Sequence, residues 1–263
     1  MNEFRALLLA AGLGTRLMPL TERWPKCLMP IGERPLLEYW LENLYTTNVQ
    51  NIIVNLHHHF DIVNDFLNRP RFKGWVHPVF EETLLGTAGT LRENMDFFHN
   101  CTTVYVHADN WCQCDFAGFL RSHREHRPEY CSITMMTFES STPETCGIVE
   151  TNEEGVVIAF HEKLAKPPGN LANGAVYILE PEVIEWIYNH KNIRDFSTEV
   201  LPNFMGRIYT WKNDGIHKDI GQIQMLLKAQ KDPQPVTCWP QIDTWQKKFL
   251  NHQIHSHIKQ AVV

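Results

Sequence analysis

The chain has 263 residues, 43% of them hydrophobic and 21% charged, with 24 basic and 30 acidic side chains for a net charge of −6. A mildly acidic chain argues against a general nucleic-acid binder, which carries a basic balance or stripe, but leaves room for a small basic pocket that holds an anion. No run of 18 apolar residues is present, so no transmembrane helix and no membrane partner are expected.

The length suits one α/β domain with a large core. Glu3 and a short apolar run make the N-terminus a poor secretory leader. The seven cysteines show no disulfide spacing, so reduced thiols and a cytoplasmic location are expected. Cys112 and Cys114 lie near His107 and Asp109, but no second cysteine pair completes a zinc knuckle, and buried thiols are the preferred reading.

In chain order, FRALLLA (4–10) reads as a buried parallel strand that ends in glycines. PLLEYWLENLYTT (35–47) places Leu37, Trp40, Leu41 and Leu44 on one helical stripe, with Pro35 in the first turn. NIIVNL (51–56) is a strand, DIVNDFLN (61–68) a short helix, WVHPVF (75–80) a strand and GTAGTLRENMDFF (86–98) a helix. CTTVYVHAD (101–109) is a strand ending in an acid, FAGFLRSHREH (116–126) a helix and YCSITMMTF (130–138) a strand. This alternation predicts a mainly parallel sheet covered by helices, with ligands at the carboxyl ends of its strands.

The texture changes after Phe138. CGIVETNEEGVVIAFHEK (146–163) reads as a hairpin turning at Asn152–Gly155, and NGAVYILEPEVIEWIYN (173–189) as a strand then a helix. Residues 207–230 read as a strand, an acidic turn and a helix. The expected organisation is a catalytic domain over 1–230, with a mixed subdomain at 140–215. A tail over 231–263 ends in a His/Lys-rich helix and serves as a cap or an oligomer contact.

The glycine loop after the first strand suits phosphate. Gly12 and Gly14 can bring backbone N–H groups close to an anion. Arg16 offers a charged fork, and Lys26 adds a point charge after Pro19 and Pro25 stiffen the chain. The loop is neither a Walker A sequence nor the dinucleotide fingerprint, because no Gly-Lys-Ser/Thr follows and Leu17 stands where the third glycine belongs. His57, His58 and His59 tempt a metal reading, but they follow a strand without a partnered acid and read as a loop-end cluster.

LLLAAGLGTRLMPLTERWPKCLMPIGERPLLEYWLENL resembles the N-terminal signature of the sugar-1-phosphate nucleotidyltransferases. The resemblance continues in order through EETLLGTAGTL, VYVHADN, CGIVE, FHEK, NGAVYIL and DIG, covering about residues 4–230. It implies a Rossmann-like three-layer α/β/α fold with an added sugar-binding subdomain. It also implies transfer of a nucleotidyl group from a nucleoside triphosphate to a sugar 1-phosphate, with Mg²⁺ and release of pyrophosphate.

On the matching positions, the resemblance implies that Ala11, Gly12, Gly14 and Thr15 cradle the triphosphate, with Gly86 and Thr87 beside the base. Arg16 holds the leaving phosphates and Lys26 the transferred phosphoryl group. Asp109 and Asp219 hold the metal, and Lys163 binds the sugar phosphate. Glu162, Gly147, Asn173 and Gly174 surround the sugar. Without that context, Asp219 reads equally as a helix N-cap, Lys163 as a solvated strand end, Gly147 as a bulge and Asn173-Gly174 as a tight turn.

Glu81 stands where pyrimidine-using relatives usually place a glutamine-type reader. One carboxylate can accept both donors of guanine's Watson–Crick edge, while adenine presents an acceptor to it. LGTAG also resembles the mannose-1-phosphate guanylyltransferase branch, so GTP is the favoured triphosphate and mannose 1-phosphate or a related sugar the favoured acceptor. UTP, CTP or another nucleoside triphosphate is the alternative, and a surface acid is the alternative for Glu81. A non-catalytic nucleotide-sugar-binding subunit would be expected to have lost one of Arg16, Lys26, Asp109, Lys163 and Asp219, and all five are present.

Overall fold

A computed structural model describes residues 3–260 of the chain. β1 (Phe4–Leu9) is followed by three 3-10 turns, Thr15–Leu17, Leu20–Glu22 and Lys26–Leu28. Then come β2 (Pro30–Ile31), β3 (Arg34–Pro35), α1 (Leu36–Thr46), β4 (Ile52–Leu56), α2 (Phe60–Leu67) and β5 (Val76–Phe80). The middle of the chain supplies α3 (Thr87–Glu93), α4 (Met95–Phe98), β6 (Thr102–His107), β7 (Asn110–Gln113), α5 (Phe116–Glu125) and β8 (Ile133–Glu139). β9 (Gly147–Thr151), β10 (Val157–Glu162), β11 (Leu171–Leu179), α6 (Pro181–Asn189), β12 (Ile208–Lys212) and β13 (Ile216–Asp219) follow. Helices α7 (Ile223–Ala229), α8 (Thr244–Leu250) and α9 (Ile254–Gln260) close the described chain.

The elements form two compact units. One comprises Leu8–Leu84, His107–Cys112 and the residues from Lys218 onward. In it β4 and β5 pair in parallel. Trp40, Phe66, Phe72, Trp111 and Phe249 are its largest fully buried side chains. The other unit comprises the described residues up to Leu7, with Leu85–Val106 and Gln113–His217. There the order is β10-β9-β11-β6-β1, with β8 on β11 and β12 parallel to β8. The core of this unit gathers Tyr105, Phe119, Tyr177 and Phe196. The fold class is α/β, as the strand–helix alternation implies, and it is Rossmann-like, as the family resemblance implies.

Several local readings change. The helix expected over 86–98 is two helices, because Asn94 leaves the helical region (φ −105°, ψ 22°) and turns its amide back onto Thr90 O at 2.9 Å. The single tail helix is also two, α8 and α9. α1 is buried on nearly all sides rather than along one stripe, since Glu38 and Glu42 are buried as well. Their carboxylates survive burial because Arg34, Arg69 and Arg71 surround them.

The tail belongs to the same network. Asp243 lies 2.7 Å from Arg69 Nε and 3.2 Å from Arg71 Nη2. Thr237 Oγ1 donates to Glu42 Oε1 at 2.8 Å, and Cys238 N donates to the same oxygen. Trp239 meets Phe72 edge-on at 5.5 Å. Among the described residues, no helix is long and apolar enough to cross a membrane.

Candidate active site

The loop after β1 begins with Ala10, whose N–H donates to Asn55 Oδ1 at 2.8 Å. Its two glycines have different physical reasons. Gly14 sits in the left-handed region at φ +64°, and a Cβ there would lie 2.8 Å from Thr21 Cγ2 and 3.2 Å from Lys26 Cβ. The fold itself therefore demands that glycine. Gly12 is exposed, and a Cβ on it would meet nothing within 4 Å. Ala11 is buried, whereas Thr15 and Arg16 are exposed.

Thr21, which the sequence reading passed over, pins the loop. Its Oγ1 donates to Gly14 O at 2.8 Å, and its own carbonyl accepts from the rings of His58 and His59 at 3.3 and 2.9 Å. His57 Nδ1 donates to Glu81 O at 2.8 Å. The three histidines thus serve backbone carbonyls around the loop.

The charged residues converge on Lys26. Asp109 lies in the turn between β6 and β7, and Asp219 ends β13. Pairing of β7 with β13 brings the two acids to one place. Lys26 Nζ donates to Asp109 Oδ2 at 2.7 Å and to Asp219 Oδ1 at 3.1 Å. Arg16 Nη2 donates to the other Asp219 oxygen, Oδ2, at 3.0 Å. Gly221 makes room for that guanidinium, since a Cβ there would stand 2.6 Å from Arg16 Nη2. Lys26 is only 5% exposed while the Arg16 side chain is 61% exposed, so one cation is fixed inside and the other stands at the surface.

Burial would push the Lys26 ammonium down, but Asp109 and Asp219 outweigh it and hold its pKa above the usual lysine value. Burial would likewise raise Asp219. Lys26, Arg16 and the Gly221 N–H instead hold its carboxyl below the usual range. The N-cap alternative for Asp219 is corrected: α7 starts at Ile223 with Gln222 at its cap, and Asp219 Oδ1 closes a turn onto Gly221 N at 2.8 Å.

Glu81 is buried at 4% exposure, which removes the surface-acid alternative. Asn55 Nδ2 donates to its Oε1 at 2.9 Å. Asn55 is a further residue that the sequence reading missed. Its signal was a lone amide inside the apolar run IIVNL.

The glycines of LGTAG have intramolecular reasons. Gly86 adopts φ +84°, and a Cβ would lie 2.5 Å from Arg194 O, whereas Gly89 is inside α3 with Leu85 Cβ 3.1 Å from its missing carbon. Packing against Arg194 O is thus enough to require glycine at position 86. Thr87 Oγ1 accepts from Phe196 N at 2.7 Å and donates to Asp195 Oδ2 at 3.3 Å, and Thr87 O accepts from Tyr105 Oη at 3.0 Å.

The residues matched to the sugar lie in the other unit. β9 and β10 pair with Gly147 opposite Glu162. A Cβ on Gly147 would fall 2.7 Å from Phe160 Cζ and 2.8 Å from Glu162 Oε2, so packing across the hairpin requires this glycine. Lys163, at φ +48°, extends an exposed ammonium 3.2 Å from Glu162 Oε1. Asn173 Nδ2 donates to Tyr177 Oη at 2.7 Å and its Oδ1 accepts from Ala175 N at 2.9 Å. Gly174 O accepts from His217 Nε2 at 2.8 Å.

This chain is similar to a mannose-1-phosphate guanylyltransferase of Mycobacterium tuberculosis, at 27% identity over 88% of this chain and 65% of the relative. It is also similar to a UTP–glucose-1-phosphate uridylyltransferase of Synechocystis, at 29% identity over 83% of this chain and 60% of the relative. It thus spans about two-thirds or less of these relatives' own lengths. Among solved structures, HddC from Yersinia pseudotuberculosis complexed with GMP-PN superposes with a TM-score of 0.72 at 25% identity, covering 88% of this chain and 99% of that one. The model of the nucleotidyl transferase family matches residues 5–234, the whole span that carries the site, and the chain belongs to that family.

Proposed function

We propose that this protein transfers a nucleotidyl group from a nucleoside triphosphate to a sugar 1-phosphate, with GTP and mannose 1-phosphate as the favoured pair. The observation that carries the reading is the buried Lys26 held between Asp109 and Asp219 at the end of the glycine loop. A sugar-phosphate oxygen bonds to the α-phosphorus, the bond from that phosphorus to the bridging oxygen breaks, and pyrophosphate leaves. The nucleophile needs no strong base, since a phosphate monoester with a second pKa of about 6 is already mostly dianionic at neutral pH. The difficulty is bringing one anion to another, so positioning and charge carry the catalysis.

In this reading the Gly12–Thr15 backbone donates to the triphosphate, and the open space at Gly12 admits it closely. Lys26 meets the phosphoryl group in transfer, and Arg16 holds the leaving phosphates. Lys163 and Glu162 take the phosphate and hydroxyls of the sugar. The donor set suits Mg²⁺: two carboxylate oxygens already meet a cationic group, and Mg²⁺ is usually held by one or two carboxylates together with substrate phosphates. Asp109 and Asp219 would hold it, and it would neutralise charge on the α-phosphate.

The buried Glu81 and the Mycobacterium relative support guanine. The Synechocystis relative supports a second reading with UTP. The deciding experiment measures pyrophosphate release from GTP, UTP, CTP, ATP and dTTP against mannose, glucose and galactose 1-phosphates in Mg²⁺. Turnover with GTP and mannose 1-phosphate above the other pairs supports the full reading. A preference for UTP replaces the base assignment, and no turnover with any pair overturns the activity.

A further inference from the structure

Three consecutive residues bond to the N–H, the carbonyl and one carboxylate oxygen of Glu81. Leu56 O accepts its N–H at 2.8 Å, His57 Nδ1 donates to its carbonyl at 2.8 Å, and Asn55 Nδ2 donates to its carboxylate at 2.9 Å. The other end of the same Asn55 amide accepts the N–H of Ala10 at 2.8 Å. Both Asn55 and Glu81 are 4% exposed. The two partners fix the amide's orientation, because the Ala10 N–H needs an oxygen and the Glu81 carboxylate needs a donor. A buried polar side chain in an apolar strand is costly unless its bonds are met, and here both ends are.

We propose that Asn55 is a positioning residue for base selection. It ties the acid at the end of β5 to the first residue of the glycine loop, so that groups at the base end and the phosphate end of the nucleotide keep one register. The proposal rests on the reading of Glu81 as the base reader. Asparagine is the side chain suited to the place, since it must accept on one side and donate on the other. Aspartate keeps the bond from Ala10 but sets a second carboxylate against Glu81, and one proton must then be shared between them.

The test is the ratio of kcat/KM for GTP to that for UTP, measured across pH for the wild type, Glu81→Gln, Asn55→Asp and Asn55→Ser. Losing one matched donor–acceptor contact in a buried site corresponds to a roughly ten- to hundredfold change. A fall of that size is expected in Glu81→Gln and in Asn55→Asp at alkaline pH. In Asn55→Asp the ratio should recover as pH falls and a shared proton restores the bond. Asn55→Ser, which removes the bond to Glu81 without adding charge, should lower the ratio at every pH and carries the test if the aspartate variant does not fold.

A purely structural Asn55 would lower the melting temperature and leave the ratio of the folded variants unchanged, which overturns the proposal. If Glu81→Gln lowers the ratio and neither Asn55 variant does, the positioning role fails while the base reader stands. If Glu81→Gln leaves it unchanged, both fall.

Discussion

Lys26 Nζ stands 2.7 Å from Asp109 Oδ2, with the lysine buried and the aspartate about one-third exposed. The ammonium is therefore fixed in place while the carboxylate keeps access to solvent and to whatever binds there. A second bond, to Asp219, leaves little freedom at Nζ. Replacing Lys26 by alanine should lower kcat and kcat/KM together, by about a hundredfold or more, as expected when a preorganised charge is removed from a transition state. Arg16→Ala should act in the same direction. Steady-state kinetics checks both, and an unchanged kcat reassigns the residue to loop structure.

Asp109→Asn and Asp219→Asn separate the two acids. Each should abolish most pyrophosphate release with little change in melting temperature, because each variant leaves Lys26 the other carboxylate and an amide oxygen that can still accept its bond. At position 219 the amide oxygen can still accept from Gly221 N, so the turn should survive. A variant that loses stability but keeps turnover in Mg²⁺ would make that aspartate a turn residue.

The pH dependence follows from two shifted groups. Lys26 is raised in the folded protein, so its stabilisation is complete below the ordinary value of 10.5 and is lost only as pH rises through the higher folded value. Asp219 is lowered, so its contribution is present above 3.8 and is lost as pH falls through the lower folded value. Both stay charged across the neutral range. The acid limb of the rate should then follow the sugar phosphate, with a midpoint near pH 6 set by its second pKa of about 6. A limb between pH 7 and 9 that vanishes in Lys26→Arg would contradict the shift assigned to Lys26.

The buried network under the tail predicts stability rather than chemistry. Arg69 and Glu38 are 2% and 1% exposed and bonded to each other, and Arg69 also holds Asp243. Removing one partner of a buried pair strands the other charge, at a cost of about 3–5 kcal/mol. Arg69→Met should lower the urea midpoint accordingly and free the segment around Trp239, seen as a change in tryptophan fluorescence and faster proteolysis after Lys231. A shift below about 1 kcal/mol, the range of exposed pairs, would mean that water reaches the network.

The alternation of strands and helices is legible in the sequence, as are Arg16, Lys26, Asp109 and Asp219, which the structure brings together. The sequence reading placed the β9–β10 hairpin and its turn at Asn152–Gly155, where Gly155 N donates to Asn152 O at 3.1 Å. It could not show that Gly86 makes room for Arg194 O, because a glycine required by a distant backbone atom is indistinguishable in sequence from one required by a ligand. It passed over Asn55 and Thr21, whose partners lie far away along the chain or are backbone atoms that no motif names.

By itself the sequence determined the fold class, since apolar periodicity and glycine placement are local properties written in consecutive residues. It also determined which charged side chains the chain carries. Only the tertiary structure decided that Lys26, ten residues past Arg16, is buried between acids 83 and 193 positions away, because strand pairing of β7 with β13 sets that meeting. The tertiary structure likewise decided that Glu81 is an interior group held by Asn55, since burial depends on what packs around a residue and not on the residue itself.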